Sequence, residues 1–114
     1  MTTLYGIKNC DTVKKARQWL EQHNIDYRFH DFRADGIDKT QIAQWIDQLG
    51  WETLVNKRST TWKQLDQATR DTLNENTVTE VILDNPTLIK RPLLDIDGHY
   101  SVGFKAAEYQ ERFN

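Results

Sequence analysis

The chain of 114 residues contains a single cysteine, Cys10, at a point where a short apolar strand is expected to turn into a helix. A helix N-terminus presents unpaired backbone N–H groups and a partial positive charge, which stabilise a nearby thiolate nucleophile. Lys8 and Lys14 act in the same direction, whereas the Asp11 carboxylate opposes them. A free cysteine is otherwise more often a small buried apolar residue. Its position here favours a reactive thiol, and the chain has no second cysteine to resolve a disulfide.

A strand and a helix are predicted to position Cys10. Residues 2–5 form a short apolar run, and apolar residues three and four positions apart predict a helix over 11–23. The aromatic run at 26–32 predicts a second strand, which a β–α–β connection would place parallel to the first.

The middle of the chain is predicted to be helical. Asp38 and Gln41 have the spacing of a capping box at the start of one helix, and shorter helical pieces follow. Thr77 and Glu80 have the same spacing, which predicts a further helix that ends before Pro86.

Strands return in the last part of the chain. Residues 93–96 and 99–102 are predicted strands on either side of the pair Asp97-Gly98, which is typical of a tight hairpin. A helix over 105–113 closes the chain.

The order of these elements predicts the fold. A β–α–β unit followed by β–β–α is the layout of the thioredoxin fold, an α/β fold with a mixed sheet. We expect a single thioredoxin-like domain over residues 1–114, with a helical insertion at approximately 37–86 between its two halves.

Composition excludes several classes of function. A formal net charge of −2 argues against a broad nucleic-acid-binding surface. No apolar stretch has the length of a membrane span and no signal-peptide pattern is evident, so we expect a cytoplasmic protein with no membrane partner. None of the three histidines has a sequence neighbour that suggests a metal site, and we expect no metal.

Three segments carry a resemblance to a known family. They are Tyr5-Gly6-Ile7-Lys8-Asn9-Cys10-Asp11-Thr12, Arg58-Ser59-Thr60-Thr61-Trp62 and Lys90-Arg91-Pro92-Leu93-Leu94. With the helical insertion and the closing hairpin, they resemble the arsenate reductase-like family that includes ArsC, Spx and YffB, and most closely its YffB branch. The resemblance covers nearly the whole chain and implies the thioredoxin-like fold.

The resemblance implies a role for Arg91 and Pro92. The thioredoxin fold usually holds a cis proline at this point, facing the cysteine, so that the backbone of Arg91 can lie beside an extended peptide such as glutathione. The Arg91 guanidinium can then pair with a carboxylate or an oxyanion. The alternative is an ordinary proline at the start of a strand, next to a solvated arginine.

The resemblance also implies a basic residue over the cysteine. Arg58, at the junction of two helical pieces, is expected in that role, and Lys57 is the alternative. Composition alone would make Arg58 a solvated surface residue. Lys8 and Asn9, in the loop before Cys10, are expected to contact glutathione, although Asn9 also fits a structural role in the turn.

The leading hypothesis is a glutathione-dependent thiol reductase, an oxidoreductase with Cys10 as nucleophile and Arg91 and Arg58 as further catalytic residues. Glutathione would act as co-substrate and resolve the mixed disulfide, because no second cysteine is present. Pro92 and Arg91 would position the peptide, and Lys8 and Arg58 would stabilise negative charge. We expect no bound cofactor, and a monomer whose partner is glutathione.

Two alternatives come from the same family. Arsenate reductases that work with glutathione and glutaredoxin surround the anion with three arginines, but the segment 102–105 has none and Arg58 is offset by two residues. The other alternative is a non-catalytic regulator like Spx, which binds the RNA polymerase α subunit. Those regulators typically carry a Cys-x-x-Cys switch, whereas Val13 occupies the second position here.

Overall fold

The structure, a computed structural model, describes all 114 residues and contains one four-stranded sheet and seven helices. The strands are β1 (Thr2–Gly6), β2 (Arg28–Asp31), β3 (Leu93–Ile96) and β4 (His99–Val102). The helices are α1 (Asp11–Gln22), α2 (Lys39–Leu49), α3 (Trp51–Leu54), α4 (Thr60–Gln64), α5 (Gln67–Asp71), α6 (Val78–Asp84) and α7 (Ala106–Arg112), with a 3₁₀ turn at Pro86–Leu88. No helix combines the length and the apolar character that crossing a lipid bilayer requires.

The sheet is mixed and has the order β2-β1-β3-β4. β1 and β2 run parallel, as the predicted β–α–β unit requires, whereas β3 is antiparallel to both β1 and β4. The C-terminal ends of β1 and β2 and the N-terminal end of β3 therefore lie at one end of the sheet, which we call the site end. The predicted thioredoxin-like α/β fold is confirmed.

One face of the sheet is covered by α1 and α7. The buried cluster on this face consists of Leu4, Ala16, Leu20, Leu94 and Tyr109. Leu4 and Leu94 are paired across β1 and β3, so both side chains point to the same face. Burial of each leucine side chain stabilises the fold by about 2 kcal/mol. This cluster packs α1, the helix that follows Cys10, against the sheet.

The chain forms two compact units. The first comprises Met1–Asp35 and Arg91–Asn114 and contains the sheet with α1 and α7. The second, Gly36–Lys90, contains α2 to α6 and is helical as predicted, with one isolated antiparallel bridge between Val55 and Ile89. That the second unit is an insertion within a single domain stays a prediction.

The helix caps in the second unit confirm one prediction and correct another. Asp38 accepts the N–H of Gln41 at 2.8 Å, and its own N–H donates to the Gln41 side chain at 3.0 Å, which is the predicted capping box. The predicted box of Thr77 and Glu80 is wrong, because Thr77 makes no side-chain cap. Its backbone is helical (φ −103°, ψ −21°) rather than extended, and its hydroxyl accepts the N–H of Asn74 at 2.9 Å.

The second strand is shorter than predicted. β2 covers Arg28–Asp31 instead of 26–32, and these four residues pair with Thr3–Gly6 of β1. The Asp31 carboxylate then accepts the backbone N–H groups two and three residues further along, which turns the chain away from the sheet.

Candidate active site

Cys10 is the N-cap residue of α1 and lies beyond the C-terminal end of β1, at the site end of the sheet. Its backbone is extended (φ −135°, ψ 121°), and its carbonyl oxygen accepts the N–H of Lys14 at 3.0 Å. Its side chain is half-buried, caps no helix N–H and forms no disulfide. The predicted position of the thiol at a helix start is confirmed, and its sulfur is engaged in neither a disulfide nor a helix cap.

Gly6 allows α1 to begin close to β1, and the sequence patterns did not single it out. A Cβ built on Gly6 would lie 2.7 Å from Cγ2 of Val13, a contact that real side chains do not make. Val13 is fully buried in the first turn of α1. A glycine at the end of an apolar strand is the signal that could have shown this close approach.

Asp31 is a second residue that the sequence patterns missed. It ends β2, is only 7% exposed and is paired with Gly6 across the sheet. Its carboxylate accepts the N–H of Arg33 at 2.8 Å and that of Ala34 at 3.1 Å, and also a backbone N–H from Lys8. The carboxylate therefore ties the end of β2 to the loop that carries Cys10.

Arg91 and Pro92 precede β3 at the same end of the sheet. Their peptide bond is cis, as expected from the resemblance, and the Pro92 carbonyl accepts the N–H of Gly103 at 2.9 Å. Tyr5 is paired with Leu93, so continuation of that antiparallel register places Pro92 beside Gly6, the last residue of β1. Pro92 is buried and Arg91 is half-buried.

Arg58 belongs to the second unit, between α3 and α4, and its predicted approach to Cys10 stays a prediction. Its N–H donates to the Asn56 side chain at 3.0 Å, and the residue is exposed. The ammonium group of Lys57 lies 5.6 Å from the ring centre of Trp51 and 5.7 Å from that of Trp62. Cation–π attraction thus holds Lys57 within its own unit.

Lys8 and Asn9 are exposed and border a shallow groove of about 470 Å³. The groove is lined by Lys8, Asn9, Lys14, Arg17, Gln18 and Glu21, and we call it the α1 groove. It extends from the loop before Cys10 along the solvent side of α1.

Cys10 is the candidate thiol nucleophile of this arrangement. No group of three or more His, Cys, Asp or Glu side chains is arranged to hold a metal ion. His23 stacks on Trp19 and His30 packs against Tyr5, so these imidazoles have structural contacts of their own. Of the predicted site residues, the structure brings Lys8, Asn9, Cys10, Arg91 and Pro92 into the first unit.

Known proteins are similar to this chain over nearly its whole length. A model of the ArsC family matches residues 5–112. An uncharacterized protein of Haemophilus influenzae is 52% identical over 113 residues, which are 99% of each chain. The solved structure of a protein named YffB has a TM-score of 0.93 at 44% identity and covers 97% of each chain. The global transcriptional regulator Spx of Lactiplantibacillus plantarum is 28% identical over 110 residues, 95% of this chain and 83% of the regulator.

Proposed function

This chain belongs to the ArsC family, and we propose that it acts as a glutathione-dependent thiol reductase with Cys10 as its nucleophile. The observation that carries the proposal is the position of the single free cysteine, at the N-cap of α1 and at the site end of the sheet. Because no other thiol is present in the chain, turnover needs a thiol from solution. Glutathione is the abundant one in a reducing cytoplasm, where we expect this protein.

The proposed cycle has two thiol–disulfide exchanges on a mixed disulfide R–S–S–G. The Cys10 thiolate attacks the glutathione sulfur, a new S–S bond forms, the original S–S bond breaks, and R leaves as a thiolate that takes a proton from water. The thiolate of a second glutathione then attacks the glutathione sulfur bound to Cys10. Glutathione disulfide leaves and the Cys10 thiolate is restored. Overall, R–S–S–G and one glutathione give R–SH and glutathione disulfide.

The proposed glutathione contacts lie at the site end of the first unit. The register of β1 and β3 supports a peptide-binding role for Arg91 and Pro92, because it brings the start of β3 beside the end of β1. Lys8 and Asn9 come from the loop between β1 and Cys10 and would contact the same ligand. These groups would orient the peptide and neutralise a carboxylate.

Arg58 is proposed to stabilise negative charge near the sulfur during exchange. The contact of Lys57 with two indole rings supports Arg58 over Lys57 in this role, since Lys57 would have to give up both rings to act elsewhere. Arg58→Gln should lower the rate of glutathione-dependent turnover by about tenfold, and Lys57→Gln should lower it by less than about threefold. Equal losses in the two variants would contradict this assignment.

Mass spectrometry of the intact protein tests the proposal directly. Incubation with oxidised glutathione should add one glutathione to the wild type and none to Cys10→Ser. Turnover should then be measured with the mixed disulfide of glutathione and 2-mercaptoethanol, glutathione being supplied in excess. Absence of an adduct on the wild type, or an undiminished adduct on Cys10→Ser, would overturn the proposal.

A binding role without turnover is the second candidate, and the similarity to Spx favours it. Val13 stands where a Cys-x-x-Cys switch would need its second cysteine, so such a role would be insensitive to intramolecular oxidation. Recovery of RNA polymerase with the tagged protein, together with no reductase turnover, would support this candidate over the reductase. Arsenate turnover with glutathione and glutaredoxin is expected to be absent, because segment 102–105 supplies no arginine for the anion.

A further inference from the structure

The α1 groove carries a local excess of positive charge. Its ionisable residues are Lys8, Lys14, Arg17 and Glu21, three cations and one carboxylate, in a chain whose formal net charge is −2. Lys14 belongs to neither of the ion pairs Met1–Asp97 and Lys39–Glu80, whereas the charge of Lys8 acts on the Asp31 carboxylate. The ammonium group of Lys14 is therefore available to an anionic ligand.

Arg17 is held in place by residues at the β2 edge of the sheet. Its Nε–H donates to the hydroxyl of Tyr27 at 3.0 Å, and its guanidinium carbon lies 4.3 Å from the ring centre of Phe29. A guanidinium fixed by two contacts loses less conformational entropy when it binds a carboxylate. The Arg17 guanidinium is therefore preorganised for binding rather than freely solvated.

Arg17 of the α1 groove and the proposed glutathione contacts Arg91 and Pro92 lie on opposite sides of β1, while Lys8 and Asn9 belong to both the groove and the proposed glutathione contacts. Arg17 contacts Phe29 of β2, whereas Pro92 immediately precedes β3, and the sheet order places β2 and β3 on either side of β1. Cys10 follows β1 and stands between the two sides. Glutathione on the β3 side would leave the β2 side for the other half of a disulfide substrate.

We propose that the α1 groove binds an acidic peptide segment next to the disulfide of a protein substrate. From Lys14 to Glu21 the helix rises about 10 Å, the length of about three extended residues. The cations near the start of α1 fit two carboxylates of such a segment, and Glu21 at the far end disfavours a third. Preferential reduction of acidic substrates rests on the proposed function, whereas binding of the acidic segment does not require Cys10 to react.

A binding measurement tests the groove without any chemistry. The probe is a fluorescent peptide that lacks cysteine and contains two glutamates within three residues, compared with its glutamine counterpart by fluorescence anisotropy. The acidic peptide should bind about tenfold more tightly, and the difference should shrink between about 50 and about 300 mM NaCl.

Matched variants assign the binding to the groove. Lys14→Gln and Arg17→Gln should each weaken binding of the acidic peptide by about threefold to fivefold, the effect of one exposed charge pair. Lys15→Gln makes the same change of charge on an exposed neighbour outside the groove and should leave binding unchanged. Lys14 is exposed, so its variant keeps the test valid even if Arg17→Gln fails to fold.

Turnover of glutathionylated peptides separates this inference from the proposed function. The readout is the ratio of kcat/KM for the acidic peptide to that for its glutamine counterpart, expected to be about tenfold in the wild type and about threefold in Lys14→Gln. If even the mixed disulfide with 2-mercaptoethanol is not reduced while the acidic peptide binds, the proposed function fails and the groove assignment stands. Equal binding of both peptides, or undiminished binding of the acidic one by Lys14→Gln, would overturn the assignment.

Discussion

Asp31 illustrates how a single buried side chain can organise a site without reacting. It ends β2, and its carboxylate accepts backbone N–H groups from Arg33, Ala34 and Lys8. Because Lys8 lies two residues before Cys10, the carboxylate restrains the loop that presents the thiol. Its replacement by alanine would leave these N–H groups without their partner and cost about 1–3 kcal/mol of stability.

The pKa of Asp31 makes its contribution depend on pH. Burial acts to raise this pKa, but the N–H bonds from Ala34, Arg33 and Lys8 and the charge of Lys8 hold it below its ordinary value. The carboxylate therefore stabilises the fold above the unfolded pKa of about 4, and this stabilisation is lost as pH falls through the lowered folded value. In urea unfolding, Asp31→Asn should lose less stability than the wild type between about pH 6 and about pH 3. Identical pH profiles for the two proteins would contradict this role.

Tyr109 presents the opposite case, a buried polar atom without a partner. The side chain is 1% exposed in the main cluster, and its hydroxyl has no hydrogen-bond partner. Burial raises the pKa of this phenol, and an unpaired buried hydroxyl carries a desolvation cost. Tyr109→Phe should therefore unfold at the same or a higher urea concentration, with a gain of up to about 1 kcal/mol.

Tyr27→Phe is the matched control for this change. The Tyr27 hydroxyl accepts a hydrogen bond from Arg17 at 3.0 Å, so its removal should destabilise the fold by about 0.5–1.5 kcal/mol. If Tyr109→Phe proved as destabilising as Tyr27→Phe, the Tyr109 hydroxyl would have a partner in solution.

At the scale of elements, the close approach of β1 and α1 sets where the helix begins. Gly6→Ala would place a methyl group 2.7 Å from Cγ2 of Val13, and Val13 is too well packed to move away. We expect Gly6→Ala to lower the free energy of unfolding by about 1–3 kcal/mol. The rate at which Cys10 is alkylated should change by more than about threefold, because the start of α1 would have to shift.

A second substitution shows whether Val13 is the cause. Val13→Ala removes the clashing methyl groups, so Gly6→Ala should cost less in the Val13→Ala background than in the wild type. A double-mutant cycle from chemical denaturation measures that coupling. Additive effects would show that the two residues do not meet.

At the scale of the whole molecule, the surface offers no large apolar side chain for self-association except Met1, which is 79% exposed. Stable protein interfaces usually need a buried apolar centre. We predict a monomer of 13.5 kDa in sedimentation equilibrium. A molecular mass that doubles as concentration rises would contradict this prediction.

Much of the fold could be predicted because its signals are local. The Asp97-Gly98 pair predicts a hairpin, and the structure gives both residues the positive φ (51° and 87°) that such a turn requires. The Asp38 cap was found from a three-residue spacing. Thr77 has the same spacing and fails, because a turn at Asn74 occupies its hydroxyl and no sequence rule weighs that competition.

The sequence by itself determined which residue is the candidate nucleophile, its place at a helix start and the order of strands and helices, because cysteine count, apolar spacing and turn residues act over a few positions. Only the tertiary structure decided that Asp31 supports the loop before Cys10, that Gly6 must be small, and that Arg17 turns its guanidinium toward β2. These facts depend on contacts between residues distant in the chain, which form only when the sheet pairs and α1 packs on it. The position of the lone thiol was therefore predictable, whereas these contacts of Asp31, Gly6 and Arg17 were not.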